Sequence, residues 1–97
     1  MATFIALIDY TEQGIRTIQD SPERAEAFAA RAKQAGVKVK DLFWTSGTHD
    51  GVLILDAPDD ETVSALMLAL ARSGNVRTHT LRAYGRDEMK RILAGSE

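Results

Sequence analysis

The chain has 97 residues, a mass of 10.6 kDa and a formal net charge of −2 at pH 7. This length fits one domain over residues 1–97, with a small core that needs no metal or disulfide. The acidic balance argues against a nucleic-acid partner, and the absence of cysteine excludes thiolate catalysis, disulfides and cysteine zinc sites.

The first elements in the chain are a strand, a loop and a helix. Residues 4–8 are almost wholly apolar, which predicts a strand buried on both faces. Residues 10–20 lack periodicity and predict a long, ordered loop with room for a short helical turn. Ser21, Pro22 and Glu23 predict a helix start with Ser21 as N-cap, and Gly36 predicts its end.

The second half of the chain begins with two strands joined by a turn. Residues 37–44 alternate, with Lys38 and Lys40 outward, as is typical of an edge strand. A hairpin-like turn leads to a buried strand at 51–55, and Pro58 with the acidic residues 59–61 predicts the start of a second helix. Residues 76–84 predict a final, unusually polar strand, and residues 87–93 predict a short C-terminal helix.

The order β-α-β-β-α-β with a tail helix predicts an α+β, ferredoxin-like fold. In that arrangement a four-stranded antiparallel sheet carries its helices on one face, and the first and third strands lie in the centre. These are the two most apolar strands of this sequence, so pattern and topology agree.

Five segments of the sequence carry a resemblance to a known family: residues 4–15 (FIALIDYTEQGI), 21–24 (SPER), 47–51 (GTHDG), 57–60 (APDD) and 74–83 (GNVRTHTLRA). They resemble the GYD-domain family. The family is named after a Gly-x-Tyr-Asp stretch between the second and third strands, where this chain has His49 in place of tyrosine. The resemblance implies a dimeric α/β barrel, in which ferredoxin-like units pair through their sheets, and it implies no established reaction or cofactor.

The two histidines are the weak catalytic candidates. His49 could act as a general base with its tautomer held by Asp50, but neighbouring strand residues point to opposite faces. The alternative is a turn in which Gly47 or Gly51 supplies a positive φ or a close backbone approach. His79 lies on the polar last strand, which is either an exposed edge or one wall of a polar cavity.

Other polar residues are candidates for ligand binding. Some of the residues Arg77, His79 and Arg82 could line a cavity for a small anion. The 10–18 loop could cap a pocket, or could be a packing loop anchored by Ile15 and Ile18. The aromatic pair at 43–44 could stack on a ligand or fill a subunit interface. The full candidate set is Tyr10, Arg16, Trp44, His49, Asp50, Arg77, His79 and Arg82.

No metal is expected, because the histidine spacing matches no ligand motif and the acids at 59–61 are typical of helix capping. No cofactor is expected, because phosphate-binding glycine motifs are absent. The N-terminus lacks a signal-peptide pattern, and no apolar run approaches the ~20 residues that cross a bilayer. We therefore expect a cytoplasmic protein with no membrane partner.

Two functional hypotheses remain open from the sequence. The first is a non-catalytic protein that binds a small ligand or assembles, forming sheet-to-sheet homodimers that bury upward of ~2,000 Å². Larger assemblies could form through the edge strand that carries Trp44. The second is a cofactor-independent enzyme, monooxygenase- or isomerase-like, acting on a small organic molecule in a polar pocket. A histidine in a dry pocket would favour the enzyme, and histidines in solvent would favour the first hypothesis.

Overall fold

The computed structural model describes all 97 residues and contains one four-stranded antiparallel sheet. Its strands are β1 (Ala2–Tyr10), β2 (Lys38–Trp44), β3 (Gly51–Ala57) and β4 (Val76–Ala83). Its helices are α1 (Glu12–Arg16), α2 (Ser21–Gln34), α3 (Asp60–Arg72) and α4 (Arg86–Gly95), with a 3₁₀ turn (Ile18–Asp20) between α1 and α2. The predicted ferredoxin-like α+β fold is confirmed. None of the helices is both long enough and apolar enough to span a membrane.

The strand order is β2-β3-β1-β4, so β3 and β1 lie in the centre as expected. β1 is antiparallel to both neighbours: Ile5 is opposite Ile54 of β3 and opposite Leu81 of β4. β2 is an edge strand, as predicted from its outward lysines, and its register against β3 shifts between Val39 and Asp41. Such a bulge shortens the regular edge that another strand could pair with.

One face of the sheet carries the core. Alternate residues of β1 and β3 are buried against α2 and α3, because successive strand residues point to opposite sides. The buried cluster consists of Phe4, Ala6, Phe28, Ala32, Val37, Leu53, Leu55, Ala57, Val63, Leu66 and Met67. The opposite face of the sheet, which we call the open face, has no helix over it.

The predicted end of α2 and the predicted acidic start of α3 are confirmed. Gly36 and Gly74 follow α2 and α3 with positive φ, 78° and 83°. Asp59 caps α3 by accepting a hydrogen bond from the Thr62 backbone N–H at 2.8 Å, and this bond lowers the pKa of its carboxyl. The prediction of Ser21 as N-cap is wrong. Ser21 lies within α2 and is buried, and the residue before it, Asp20, makes no side-chain capping bond.

Residues 10–20 contain more regular structure than the predicted loop. Thr11 caps α1 by accepting from the Gly14 N–H at 3.1 Å, and the 3₁₀ turn follows. Ile15 and Ile18 are 49% and 44% exposed, so they do not anchor the segment as proposed. Gly14 anchors it instead. A Cβ at this position would lie 1.9 Å from the Asn75 carbonyl oxygen, so only glycine fits against that backbone.

The hairpin between β2 and β3 has the expected glycine geometry. Gly47 has a φ of 121°, which favours glycine. A Cβ on Gly51 would meet the Phe43 carbonyl oxygen at 3.1 Å, so this position requires a close backbone approach. Both glycines therefore serve the turn that reverses the chain before β3.

α4 projects from the end of β4. Glu88 holds its start: it accepts from the Gly85 N–H and from Arg82 Nη2, both at 3.1 Å, and these contacts lower the pKa of its carboxyl. The apolar side chains of α4, Met89, Ile92 and Leu93, are 42–54% exposed. α4 therefore adds little to the core.

The close contact at Gly14 generates a test. We expect Gly14→Ala to destabilise the domain by about 1–3 kcal/mol, because the new methyl group would displace the backbone at Asn75. Gly95→Ala is the control, because a Cβ at this position has open space around it. The alanine also lowers the conformational entropy of the unfolded chain. Urea denaturation of both variants provides the measurement. Equal midpoints for the two variants would contradict the packing role of Gly14.

Candidate functional site

The open face is apolar in its centre. The register places Ile5, Leu7, Val52, Ile54, Leu81 and Phe43 on this face. Phe43 is 54% exposed and Leu81 is 51% exposed, and the other four are only half-buried. Large apolar side chains thus form a continuous surface across all four strands.

Polar groups border this apolar centre at both ends of the strands. At one end Asp56 accepts from the Thr3 hydroxyl at 2.9 Å and lies 3.9 Å from the Lys40 ammonium. At the other end Asp9 lies between the two histidines of the chain. The open face therefore has an apolar centre and charged ends.

Asp9 brings His49 and His79 together. His49 Nδ1 lies 3.0 Å from Asp9 Oδ1, and His79 Nε2 lies 3.4 Å from Asp9 Oδ2. The two imidazole rings are 6.0 Å apart between centroids. Because an ionised carboxylate only accepts hydrogen bonds, His49 Nδ1 carries the proton and its Nε2 is left as the free, basic nitrogen.

The expected pairing of His49 with Asp50 does not form. Asp50 Oδ2 instead accepts from the Tyr10 backbone N–H at 2.9 Å, which ties the hairpin to the end of β1. The carboxylate that faces His49 comes from Asp9, 40 residues earlier. Nothing in the local spacing of the hairpin could indicate this contact.

The candidates on β4 lie on different faces of the sheet. In the register Arg77 pairs with Asp9 and His79 pairs with Leu7. Arg77 and His79 therefore both lie on the open face. The His79 side chain is 64% exposed. Arg82 lies on the helix side, over the rings of Phe4 and Tyr84 at 5.5 and 4.7 Å. The three basic residues therefore do not line one cavity.

Three other candidates meet on the helix side of the sheet. Tyr10, Trp44 and Asp50 line a cleft of about 370 Å³ between α2, α3 and the sheet, which we call the α2–α3 cleft. Its apolar walls include Phe28 and Leu70. Neither histidine lines it.

A small hydrogen-bonded cluster closes the α2 end of this cleft. Trp44 Nε1 donates to Ser21 Oγ at 3.0 Å, and the hydroxyls of Tyr10 and Ser21 share a hydrogen bond at 2.8 Å. Ser21 is a site residue that the sequence analysis does not identify, because the pattern Ser-Pro-Glu is already explained as a helix start. Neither of its partners is close to it in the sequence.

Arg16 lies apart from both regions. It makes an i,i+4 ion pair with Glu12 on α1, and both side chains are more than 70% exposed. Around them is a shallow polar depression, which also includes Gln13 and Thr17. An exposed pair of this kind contributes little to stability or binding.

Comparison with known proteins identifies the family of this chain. The model of the GYD domain matches residues 4–93. The chain belongs to the GYD family. A GYD-type relative, the "Glutamine synthetase and cystathionine beta-lyase binding protein" of Thermus thermophilus, is 38% identical over 84 residues. The match covers 86% of this chain and 88% of the relative. No solved structure matches this GYD chain.

The contact between Asp9 and His49 generates a test. We expect Asp9→Asn to remove the preference of neutral His49 for a proton on Nδ1, because the carboxylate that accepts this proton is lost. Imidazole ¹⁵N chemical shifts, measured above the titration range of histidine, report the tautomer. Asp50→Asn is the control and leaves the tautomer unchanged. A tautomer change in the control, with none in Asp9→Asn, would contradict the assignment.

Proposed function

We propose that this GYD chain is a non-catalytic assembly protein that pairs sheet to sheet as a homodimer and binds other proteins. The observation that carries the proposal is the apolar open face. Soluble monomers rarely expose apolar patches beyond a few hundred Å². An apolar surface across four strands therefore favours a permanent partner.

A second copy of the chain is the partner that this surface suits best. An apolar centre bordered by charged residues is the usual anatomy of a protein interface. In a two-fold dimer each open face covers the other, and the same residues contribute from both subunits. α4 cannot replace the second copy, because its own apolar side chains remain exposed beyond the end of β4.

The binding of further proteins rests on the relative from Thermus thermophilus. Its name describes a protein that binds glutamine synthetase and cystathionine beta-lyase. The match covers nearly nine-tenths of both chains, so the two proteins share the whole domain. We infer that the dimer of this chain binds enzymes of the same two kinds.

The enzyme alternative has weaker support. Its candidate bases are the two histidines, and the side chain of His49 is 34% exposed and that of His79 64% exposed. Both histidines lie at the end of the open face, outside the α2–α3 cleft. A general base in a dry pocket would be needed for proton abstraction, and histidines accessible to solvent favour the binding protein instead.

Dimer formation can be tested with a matched pair of substitutions. We expect light scattering at low micromolar concentration to give twice the 10.6 kDa chain mass for the unmodified protein. Leu81→Asp should give the monomer mass, because it places a charge within the apolar interface. Leu68→Asp makes the same change on the outside of α3, where Leu68 is 62% exposed, and should leave the dimer intact. A stable monomer of the unmodified chain would refute the dimer.

Partner binding can be tested with purified enzymes. We expect glutamine synthetase and cystathionine beta-lyase from the organism that encodes this chain to bind it saturably in calorimetry. Because a dimer presents each partner-binding surface twice, Leu81→Asp should weaken binding by about tenfold or more, whereas Leu68→Asp should not. If neither enzyme binds a chain that scatters as a dimer, the partner proposal is wrong and the dimer stands.

A further inference from the structure

We propose that the α2–α3 cleft binds a small amphipathic carboxylate, with its apolar body between the helices and the sheet. The cleft of about 370 Å³ has the size of ordinary small-molecule sites. Fourteen of its 21 lining residues are hydrophobic, which favours a ligand with a mostly apolar body. The cleft lies on the side of the sheet opposite the proposed dimer interface, so this site does not depend on that dimer.

The hydrogen-bonded cluster at the α2 end leaves a donor for a ligand. The indole of Trp44 can only donate, and it donates to Ser21 Oγ. The single bond between the hydroxyls of Tyr10 and Ser21 uses one of their two protons, whichever residue donates. One hydroxyl proton therefore remains free at the wall of the cleft, and it suits an acceptor such as a carboxylate oxygen.

The charges around the cleft favour an anion. Two arginines, Arg24 and Arg31, line it against a single acid, Asp50. Arg24 is held by the carbonyl oxygens of Thr17 and Gly14. Arg31 makes no ion pair in the chain, so its guanidinium is available to a carboxylate.

Asp50, Ser73 and Asn75 complete the polar side chains of the cleft, and the Ser73 hydroxyl already donates its proton to the Leu70 carbonyl oxygen. One oxygen of Asp50 already accepts from Tyr10 N–H, which leaves one free acceptor. The Asn75 amide accepts from Gln13 through its oxygen, so its NH₂ group is another free donor. Free donors therefore outnumber free acceptors, and an acceptor-rich, negatively charged head group fits best.

The test uses octanoate, with octanamide as a neutral probe of the same length. Trp44 is the only tryptophan of the chain and lies in the cleft, so its fluorescence reports entry of either probe. We expect saturable binding of octanoate, with octanamide bound about tenfold more weakly. Calorimetry on the full chain gives the same constants independently. Absence of saturable octanoate binding, or equal binding of the two probes, would overturn the proposal.

Variants locate the binding in the cleft. Ala25→Phe and Ala69→Phe fill it from α2 and from α3, and either should weaken octanoate binding at least tenfold. Ala30→Phe is the control, because Ala30 is exposed on α2 outside the cleft. Circular dichroism identifies any variant that fails to fold. If one filling variant does not fold, octanoate binding by the other filling variant tests the proposal. If a folded filling variant binds octanoate as the unmodified chain does, the site is elsewhere and the proposal fails.

A second pair of variants tests the charge. Arg31→Gln should reduce the preference for octanoate over octanamide, with octanamide binding unchanged, because only the carboxylate needs the guanidinium. Arg72→Gln removes the same charge at the end of α3, outside the cleft, and should leave the preference intact. A preference that survives Arg31→Gln in full would contradict the assigned head-group contact.

Discussion

The structure depends on β1 being paired on both sides. Because β3 and β4 both hydrogen-bond to it, β1 has no free edge, and its side chains must find partners on two faces. Phe4 and Ala6 are buried under the helices, whereas Ile5 and Leu7 contact only their neighbours on the open face, where no helix covers them. Two helices cover one face of a four-stranded sheet, so an apolar central strand leaves the domain with an uncovered apolar surface. The core and the proposed assembly are thus two consequences of one strand.

The last residues of β1 also separate the two candidate regions. Asp9 turns to the open face and meets His49, while Tyr10 turns to the helix side and meets Ser21. The hairpin follows the same alternation, since Asp50 binds the Tyr10 backbone instead of its neighbour His49. In both segments, neighbouring residues therefore lie in different regions. Asp9 and His49 lie on the open face, whereas Tyr10 and Asp50 line the α2–α3 cleft. This separation places the proposed assembly surface and the proposed ligand site on opposite sides of the sheet.

The fold could be predicted from the sequence because its signals are local: apolar runs, acidic helix starts and glycines after helices. The sites could be predicted only in part. Tyr10, Trp44 and Asp50 have side chains suited to ligand binding, and the structure brings them to one cleft. The contact of Asp9 with His49 spans 40 residues, and the bond of Trp44 to Ser21 spans 23, so no spacing rule reveals them. The N-cap prediction for Ser21 is wrong, because a single sequence does not distinguish a serine that caps a helix from a serine whose hydroxyl is buried.

α4 differs from every other element in how it is held. Its start depends on Glu88 and Arg82, and its apolar side chains are about half-exposed and lie outside the buried core. We expect such a helix to open independently of the sheet, because its opening breaks few contacts of the core. Amide hydrogens of α4 should then exchange with solvent through local fraying, whereas those of β1 and β3 should exchange only when the whole domain unfolds. Changes of sequence after Gly85 should accordingly disturb the sheet less than changes in any of its strands.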